Sequence, residues 1–201
     1  MSNRNVYGCP PVALALIAAL AATSLSGCAG TVVGAGAAVG VAAFEERGIE
    51  GKARDLRTTA QIAEQWIFFD HTMPVKLGVE VYEGRALLTG AVVNPQLQAD
   101  AVRLAWKAEG VQDVINEIQV VPSIDLIDTA KDSWITTQLT SKITFDKQIQ
   151  AVNYVVETVN GIVYLIGIAQ NQAELDRVIA YGRAIPNVTR IVSHVRIKQA
   201  A

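Results

Sequence analysis

The chain has 201 residues, of which 51% are hydrophobic and 18% are charged. This composition is typical of folded modules and excludes a largely disordered chain. The formal net charge of −2 at pH 7 argues against bulk electrostatic attraction to nucleic acid or to anionic lipid.

The N-terminus has the pattern of a secretory signal. A basic start with Arg4 is followed by residues 12–25, which are almost entirely apolar. A charged start, about 7–15 apolar residues and a small-residue cleavage site make up such a signal. The apolar stretch ends in Leu25-Ser26-Gly27-Cys28, which is similar to the lipoprotein signals of bacteria. The resemblance implies that residues 1–27 are removed and that Cys28 carries the lipid.

An uncleaved transmembrane helix is the alternative interpretation of this region. No charged residue lies between Arg4 and Glu45, and residues 29–44 are again small and apolar. Polar residues and glycines interrupt the apolar stretch in mid-span, which favours the lipoprotein: Ser24, Ser26, Gly27, Gly30 and Thr31. In enteric bacteria, Asp after the lipidated cysteine retains a lipoprotein at the inner membrane. The residue here is Ala29, so the resemblance implies an outer-membrane protein that faces the periplasm.

Residues 28–57 are predicted to be the lipidated cysteine and a tether. Charge is distributed unevenly from residue 45 onward. Lys and Arg number eight against twelve Asp and Glu in residues 45–121, but eight against five in residues 131–201. The C-terminal part is therefore the better candidate for contact with an acidic partner such as a phospholipid headgroup. Cleavage before Cys28 also leaves a single cysteine, so no disulfide is expected.

An internal repeat organises the rest of the chain. The segment Glu83–Gly90 matches Asn160–Gly167 at a constant offset of 77 residues (161 − 84). Each copy predicts a helix, a strand, a tight turn at glycine, a second strand, a second helix and a final strand. This α-β-β-α-β order, used twice, predicts an α+β fold of two domains, each a three-stranded sheet with two helices on one face.

The predicted boundaries place the first domain at residues 58–121, a linker at 122–130 and the second domain at 131–198. In the first copy the elements are predicted at Thr58–Phe69, Val75–Tyr82, Arg85–Val92, Pro95–Glu109 and Asp113–Val121. In the second copy a helix with Ile135, Leu139 and Ile143 on one face precedes Gln150–Val159, Ile162–Ala169, Gln172–Ile185 and Thr189–Lys198. Gly90 and Gly167 are predicted to end their strands, where a side chain would obstruct the neighbouring helix.

The two copies resemble the BON domain family. The resemblance is carried by the hairpin glycines, Gly84 with Gly90 and Gly161 with Gly167, and by the closing pairs Gly110-Val111 and Asn187-Val188. Behind a lipoprotein signal, residues 114–118 and 132–137 look especially like dual-BON outer-membrane lipoproteins that maintain envelope integrity. The resemblance implies binding of anionic phospholipid through the second domain. The alternative is a periplasmic adaptor or chaperone-like module that binds an envelope protein.

No catalytic constellation is found in the sequence. His71 and His194 are the only histidines, they lie in different copies, and neither has metal-ligand spacing around it. There is no G-x-S-x-G elbow and no P-loop. We therefore expect no enzymatic activity, no cofactor, no metal, no nucleic acid partner and no small-molecule substrate.

The candidate phospholipid-binding residues lie on the first helix of the second copy: Lys131, Trp134, Gln138, Lys142 and Phe145. At about 100° per residue they fall within about 80° of one another, off the apolar stripe. A tryptophan flanked by lysines suits a headgroup interface. In the family this helix is the proposed lipid-facing one, although close relatives often carry Lys at the position of Gln138. The alternative is that Trp134 packs between the domains, and Trp106 is a second candidate for that contact.

Overall fold

The structure, a computed structural model, describes residues 45–123 and 126–199. The predicted signal peptide, Cys28 and residues 29–44 lie outside the described residues. Part of the predicted tether is folded, because a helix begins at Gly48. The predicted linker is also shorter than expected, because the next long helix begins at Leu126.

The order α-β-β-α-β is present twice, and the predicted fold class is confirmed. The first domain contains α1 (Gly48–Phe69), the short helix α2 (Met73–Lys76), β1 (Leu77–Tyr82), β2 (Arg85–Val92), α3 (Pro95–Ala105), β3 (Asp113–Asn116) and β4 (Gln119–Val120). The second contains α4 (Leu126–Phe145), a 3-10 turn (Ala151–Asn153), β5 (Tyr154–Val159), β6 (Ile162–Ala169), α5 (Gln172–Arg183) and β7 (Arg190–Ile197).

The second strand of each copy is the centre of its sheet. Strand β2 pairs antiparallel with β1 and parallel with β3 and β4. Strand β6 pairs antiparallel with β5 and parallel with β7. Strands β1 and β5 therefore lie at the edge of their sheets. Both hairpins close with the predicted primed turn, because φ is positive at Glu83 and Gly84 (50° and 73°) and at Asn160 and Gly161 (52° and 73°).

Two predicted boundaries differ for local reasons. The last strand of the first copy breaks between Asn116 and Gln119, because the backbone N–H of Ile118 donates to the Asn116 side chain and Ile118 is buried in the core. Helix α3 ends earlier than predicted, at Ala105. The N–H of Ala108 donates to the Ala105 carbonyl, so the chain tightens there into a 3-10 turn.

Gly90 and Gly167 do not have the role expected of them. Both lie inside their strands, not at the ends. A Cβ at Gly90 would overlap the backbone carbonyl oxygen of Lys76, and a Cβ at Gly167 would overlap that of Asn153. The obstruction is therefore the end of the short helix or 3-10 turn that leads into the neighbouring strand, because Lys76 ends α2 and Asn153 ends the 3-10 turn.

Each domain buries one face of its sheet under its two helices. The core of the first domain is formed chiefly by Ile62, Trp66, Leu77, Val81, Ala86, Leu88, Val92, Ala101 and Leu104. The core of the second is formed chiefly by Ile135, Leu139, Ile143, Tyr154, Val156, Val163, Leu165, Leu175 and Val178. All of these residues lie downstream of Glu45, so a fragment of residues 45–201 contains both complete cores.

An aspartate on the first helix of each copy holds the hairpin turn. The Asp55 carboxylate accepts the backbone N–H groups of Glu83 (2.8 Å) and Gly84 (3.0 Å). Asp132, 77 residues later, accepts those of Asn160 (2.6 Å) and Gly161 (2.8 Å). This role was not predicted from the sequence, although both aspartates obey the repeat offset.

We expect Asp132→Asn to destabilise the second domain by about 1–2 kcal/mol. The amide keeps one acceptor oxygen but loses the charge, and its NH2 group cannot accept the second backbone N–H. Urea unfolding of residues 45–201 measures the effect. The control is Asp176→Asn on α5, an exposed aspartate that bonds only Gln172 among the described contacts. Equal midpoints for the two variants would contradict the role of Asp132.

The two sheets pack against each other through the faces that the helices leave open. This third core contains Tyr82, Leu87 and Ile115 of the first domain, with Val155, Val159, Ile162, Tyr164, Ile166, Ile168 and Val192 of the second. Each member from the first domain has its partner 77 residues later in the same core. The side chains of Glu117 and His194, also equivalent by the repeat, form a hydrogen bond of 2.8 Å. Such contact between equivalent positions is the mark of an approximate two-fold relation.

Trp106 was a candidate for the contact between the domains. Its side chain is 52% exposed and it does not belong to the core between the sheets. The alternating strand positions, and not a surface tryptophan, supply this interface.

The segment that precedes α1 contacts both domains. The Arg47 guanidinium donates to Asp55 (2.8 Å) and to the Val81 carbonyl (3.0 Å), and it lies 4.4 Å from the centre of the Tyr82 ring. One residue earlier, the Glu46 backbone N–H donates to the Asn153 side chain of the second domain (2.9 Å).

Glu46 makes further contacts to the second domain through its side chain. The carboxylate accepts from Lys198 (2.9 Å) and from the Gln170 side chain (2.9 Å). The Lys198 hydrogen bond holds the pKa of this carboxyl below its usual value. These contacts of Glu46 and Arg47 explain why the charged end of the predicted tether is part of the fold.

Candidate functional site

The outer face of α4 holds all five sequence-predicted site residues. Phe145 is 83% exposed and Trp134 is 45% exposed. Lys131 and Lys142 are exposed, and Gln138 is half-buried. From the first of these residues to the last, the face spans about 20 Å along the helix at 1.5 Å per residue.

The buried stripe of α4 lies beside this face. Ile135, Leu139 and Ile143 are at most 1% exposed and pack on the second sheet. Trp134, Gln138 and Lys142 each precede one of these buried residues and lie about 100° around the helix from it. Their side chains therefore point away from the centre of the core. Trp134 is 45% exposed and does not belong to the core between the sheets.

Negative charge close to the face is engaged elsewhere. The Asp132 carboxylate is buried against the β5–β6 turn. Asp146, which follows α4, accepts the backbone N–H of Gln148 and the hydroxyl of Tyr181, and the first of these lowers its pKa. The face is therefore apolar at Trp134 and Phe145 and cationic at the exposed Lys142.

A cleft of about 670 Å³ lies beside α4, between the two domains. One wall is the start of β1 and the facing part of β2; the other is α4 and the end of β5. Many of its side chains carry hydroxyl groups, and the lining includes Val75, Lys76, Gly78, Thr89, Thr129, Ser133, Thr136, Thr137, Glu157 and Thr158. The cleft could not be predicted from the sequence, because its walls are distant in the chain.

Two equivalent glutamates lie on the sheet faces that meet between the domains. Glu80 alternates with the helix-facing Val79 and Val81, and Glu157 alternates with the helix-facing Val156. Burial, together with a smaller effect of the Glu80 charge, raises the pKa of Glu157 to about 7. Burial also raises the pKa of Glu80, while the positive charge of Arg47 opposes that rise.

Within residues 45–123 and 126–199, no group of three or more His, Cys, Asp and Glu side chains could hold a metal ion. His194 lies half-buried in β7 and pairs with Glu117, and His71 is exposed in a turn. Among the same residues, no helix has the length and apolar character needed to cross a bilayer.

Comparison with known proteins gives consistent similarities. Residues 55–122 and 131–199 each match the family model of the BON domain. The chain is 36% identical over 152 residues to the outer membrane lipoprotein DolP of Haemophilus influenzae, covering 74% of this chain and 78% of that protein. It is 40% identical over 133 residues to an Anaplasma centrale protein named "Uncharacterized protein in gshII 5'region" (66% and 88% covered). It is 31% identical over 150 residues to the 21 kDa hemolysin of Actinobacillus pleuropneumoniae (75% and 72% covered).

Proposed function

Because this chain belongs to the BON domain family, we propose that it is a non-enzymatic outer-membrane lipoprotein that faces the periplasm and supports envelope integrity. Its second domain contacts anionic phospholipid through the outer face of α4. The observation that carries this proposal is the exposure of Trp134 and Phe145 on one helix face together with Lys131 and Lys142.

The chemistry of this face suits the boundary between headgroups and acyl chains. An amphipathic indole ring is stable at that depth, and an exposed phenyl ring gains by leaving water. Each lysine close to an anionic surface adds about 1 kcal/mol of attraction. The apolar and electrostatic contributions act together, so anionic vesicles should bind more tightly than neutral ones.

The lipid anchor is proposed at Cys28, with residues 1–27 removed. Support comes from the sequence Leu25-Ser26-Gly27-Cys28 and from the 36% identity to a relative named outer membrane lipoprotein. Mass spectrometry of the N-terminal peptide tests it: a diacylglyceryl group on Cys28 is expected, and an intact signal would contradict the anchor. An anchor supplies high local concentration, so α4 needs only modest affinity of its own.

The lipid contact is tested with residues 45–201, which lack the anchor. We expect the double variant Trp134→Ser, Lys142→Ser to bind phosphatidylglycerol vesicles at least about tenfold more weakly in sedimentation, because it loses the ring and one charge. The matched control is Trp106→Ser, Lys107→Ser, which removes a tryptophan of similar exposure (52%) and a lysine from the first domain. Unchanged sedimentation of the α4 variant would contradict the proposal.

A second candidate function is an adaptor that binds an envelope protein. The cleft beside the edge strands β1 and β5 favours it, because an edge strand offers unpaired backbone groups to an extended peptide. Crosslinking in cells that recovers one protein through the cleft, together with no vesicle binding by residues 45–201, would favour the adaptor over lipid contact.

A further inference from the structure

A second pocket, of about 390 Å³, lies where the β1–β2 turn of the first domain meets the end of β7 of the second. Three of its lining residues are arginines: Arg47, Arg54 and Arg196. The other lining residues are polar, acidic or glycine: Gly51, Asp55, Thr58, Glu83, Gly84, Gly110 and Gln112. Such a lining suits a small polar ligand and gives an acyl chain no apolar surface to cover.

Part of the charge in this pocket is already neutralised by the fold. The Arg47 guanidinium donates to the Asp55 carboxylate (2.8 Å), which also accepts two backbone N–H groups of the β1–β2 turn. Arg47 and Asp55 therefore hold the hairpin and are not available to a ligand. The charges that remain in the lining are Arg54, Arg196 and Glu83, two cations against one carboxylate.

Arg54 and Arg196 enter the pocket from different domains. Both are exposed, and within residues 45–123 and 126–199 neither makes a hydrogen bond or an ion pair. Nη2 of Arg54 lies 3.9 Å from the place that a Cβ would take on Gly51, so the missing side chain leaves room for the guanidinium. Two guanidinium groups that converge on one pocket can each donate a forked pair of hydrogen bonds to a phosphate group.

The repeat shows how the equivalent place in the second domain is filled. Gln119 lies 77 residues before Arg196. Its amide nitrogen donates to the Val159 carbonyl (3.1 Å) and the Tyr164 hydroxyl (3.2 Å), and its oxygen accepts from the Asn160 side chain (3.0 Å). These bonds close that end of the contact between the domains. At the other end an arginine replaces the glutamine, and the pocket stays open.

A third arginine adds positive charge close to Arg196. Burial and, to a smaller extent, the charge of Arg196 lower the pKa of Arg85. The Arg85 Nε is buried without a hydrogen bond among the described residues, and its distance to the Asp113 carboxylate is 3.7 Å. An anion held beside Arg196 offsets the repulsion between these two guanidinium groups.

We propose that this pocket binds a phosphate group, held between Arg54 of the first domain and Arg196 of the second, with the Gln112 amide as a further donor. The group can belong to a soluble phosphate or to a phospholipid headgroup, because both offer the same oxygens to the arginines. The pocket is built from α1 and β7 and shares no residue with the α4 face, so this inference is independent of the proposed function.

The first test uses isotope-labelled residues 45–201 in an NMR titration with inorganic phosphate and with glycerol 3-phosphate. The amide signal of Gly84 in the pocket is expected to shift saturably, but not with sodium chloride at equal ionic strength. The double variant Arg54→Gln, Arg196→Gln should bind at least about tenfold more weakly. The matched control is Arg57→Gln, Arg183→Gln, which removes one exposed arginine from each domain outside the pocket. The same spectra verify that each variant is folded.

Sedimentation with phosphatidylglycerol vesicles tests the other source of phosphate. Weaker sedimentation of the Arg54→Gln, Arg196→Gln variant than of the control, with no saturable shift by either soluble phosphate, assigns the pocket to a lipid headgroup. Equal behaviour of the two variants in both experiments, or equal shifts with sodium chloride, overturns the inference. Trp134 and Lys142 are unchanged in both variants, so vesicle binding that is equally strong in both leaves the proposed function standing.

Discussion

Replacing Gly167 with alanine is expected to destabilise the second domain by about 4 kcal/mol or more. The residue has φ of 145°, a conformation that residues with a side chain rarely adopt. Its new Cβ would also overlap the backbone carbonyl oxygen of Asn153. Overlap with backbone inside a packed core is relieved only by moving a strand, which is among the costliest single substitutions.

Asn153 has little freedom to move away from that Cβ. It is fully buried, its N–H donates to the Gln150 carbonyl (2.9 Å), and its side chain accepts the N–H of Glu46 (2.9 Å). Thermal and urea unfolding of residues 45–201 measure the loss. Gly48→Ala is the control, because Gly48 has φ of 65° but no atom within 4 Å of its Cβ position. It should cost only about 1–2 kcal/mol of backbone strain, and a similar small cost for Gly167→Ala would contradict the packing argument.

Replacing Glu157 with glutamine should stabilise the protein at pH 8 by about 2–3 kcal/mol and have almost no effect near pH 4.5. Burial and the Glu80 charge raise the pKa of Glu157 from 4.5 to about 7 in the folded protein, and each pKa unit corresponds to about 1.4 kcal/mol. Between these two values the folded state binds a proton that the unfolded state has lost. The stability that Glu157 contributes is therefore full below pH 4.5 and is lost as the pH rises through about 7.

Glutamine stays neutral at every pH, so the difference between the variant and the unmodified protein measures the titration of Glu157 together with its coupling to Glu80. Other carboxyls act in the opposite direction, because the pKa values of Asp146 and Glu46 are lowered, and the difference cancels them. Denaturant unfolding from pH 4.5 to 8 measures it. Glu64→Gln, an exposed substitution on α1, is the control and should show no such trend. A constant difference across this range would mean that Glu157 is not protonated in the folded state.

The sequence predicts the hairpins better than any other part of the fold. The bounds of β2 and β6 agree with the prediction, because a glycine turn marks one end and the apolar run marks the other. The start of α1 could not be predicted, since Glu46 and Arg47 directly before it are ordered by contacts with Asn153 and Tyr82, which are distant in the chain. The local preference of a segment for helix or strand does not encode contacts with residues that are distant in the chain.

The candidate face on α4 follows from helical periodicity alone, which is why all five residues share one side of the helix. The cleft and the core between the sheets could not be predicted in the same way. Tyr82 and Tyr164 belong to strands whose side chains are buried on both faces of the sheet. The sequence pattern does not identify the surface that covers the second face. The candidate that the sequence offered for this contact, Trp106, does not belong to the core between the sheets.

The bonds of Glu46 to Asn153, Gln170 and Lys198 have a mechanical consequence. The residue belongs to the segment that leads into the first domain, yet it is fastened to the second. Tension applied through the upstream chain therefore reaches the fold at the contact between the two domains. Both domains share this tension, which does not act only to separate α1 from its sheet. The two domains should therefore rotate together, as one rigid body, about the point where the upstream chain joins them.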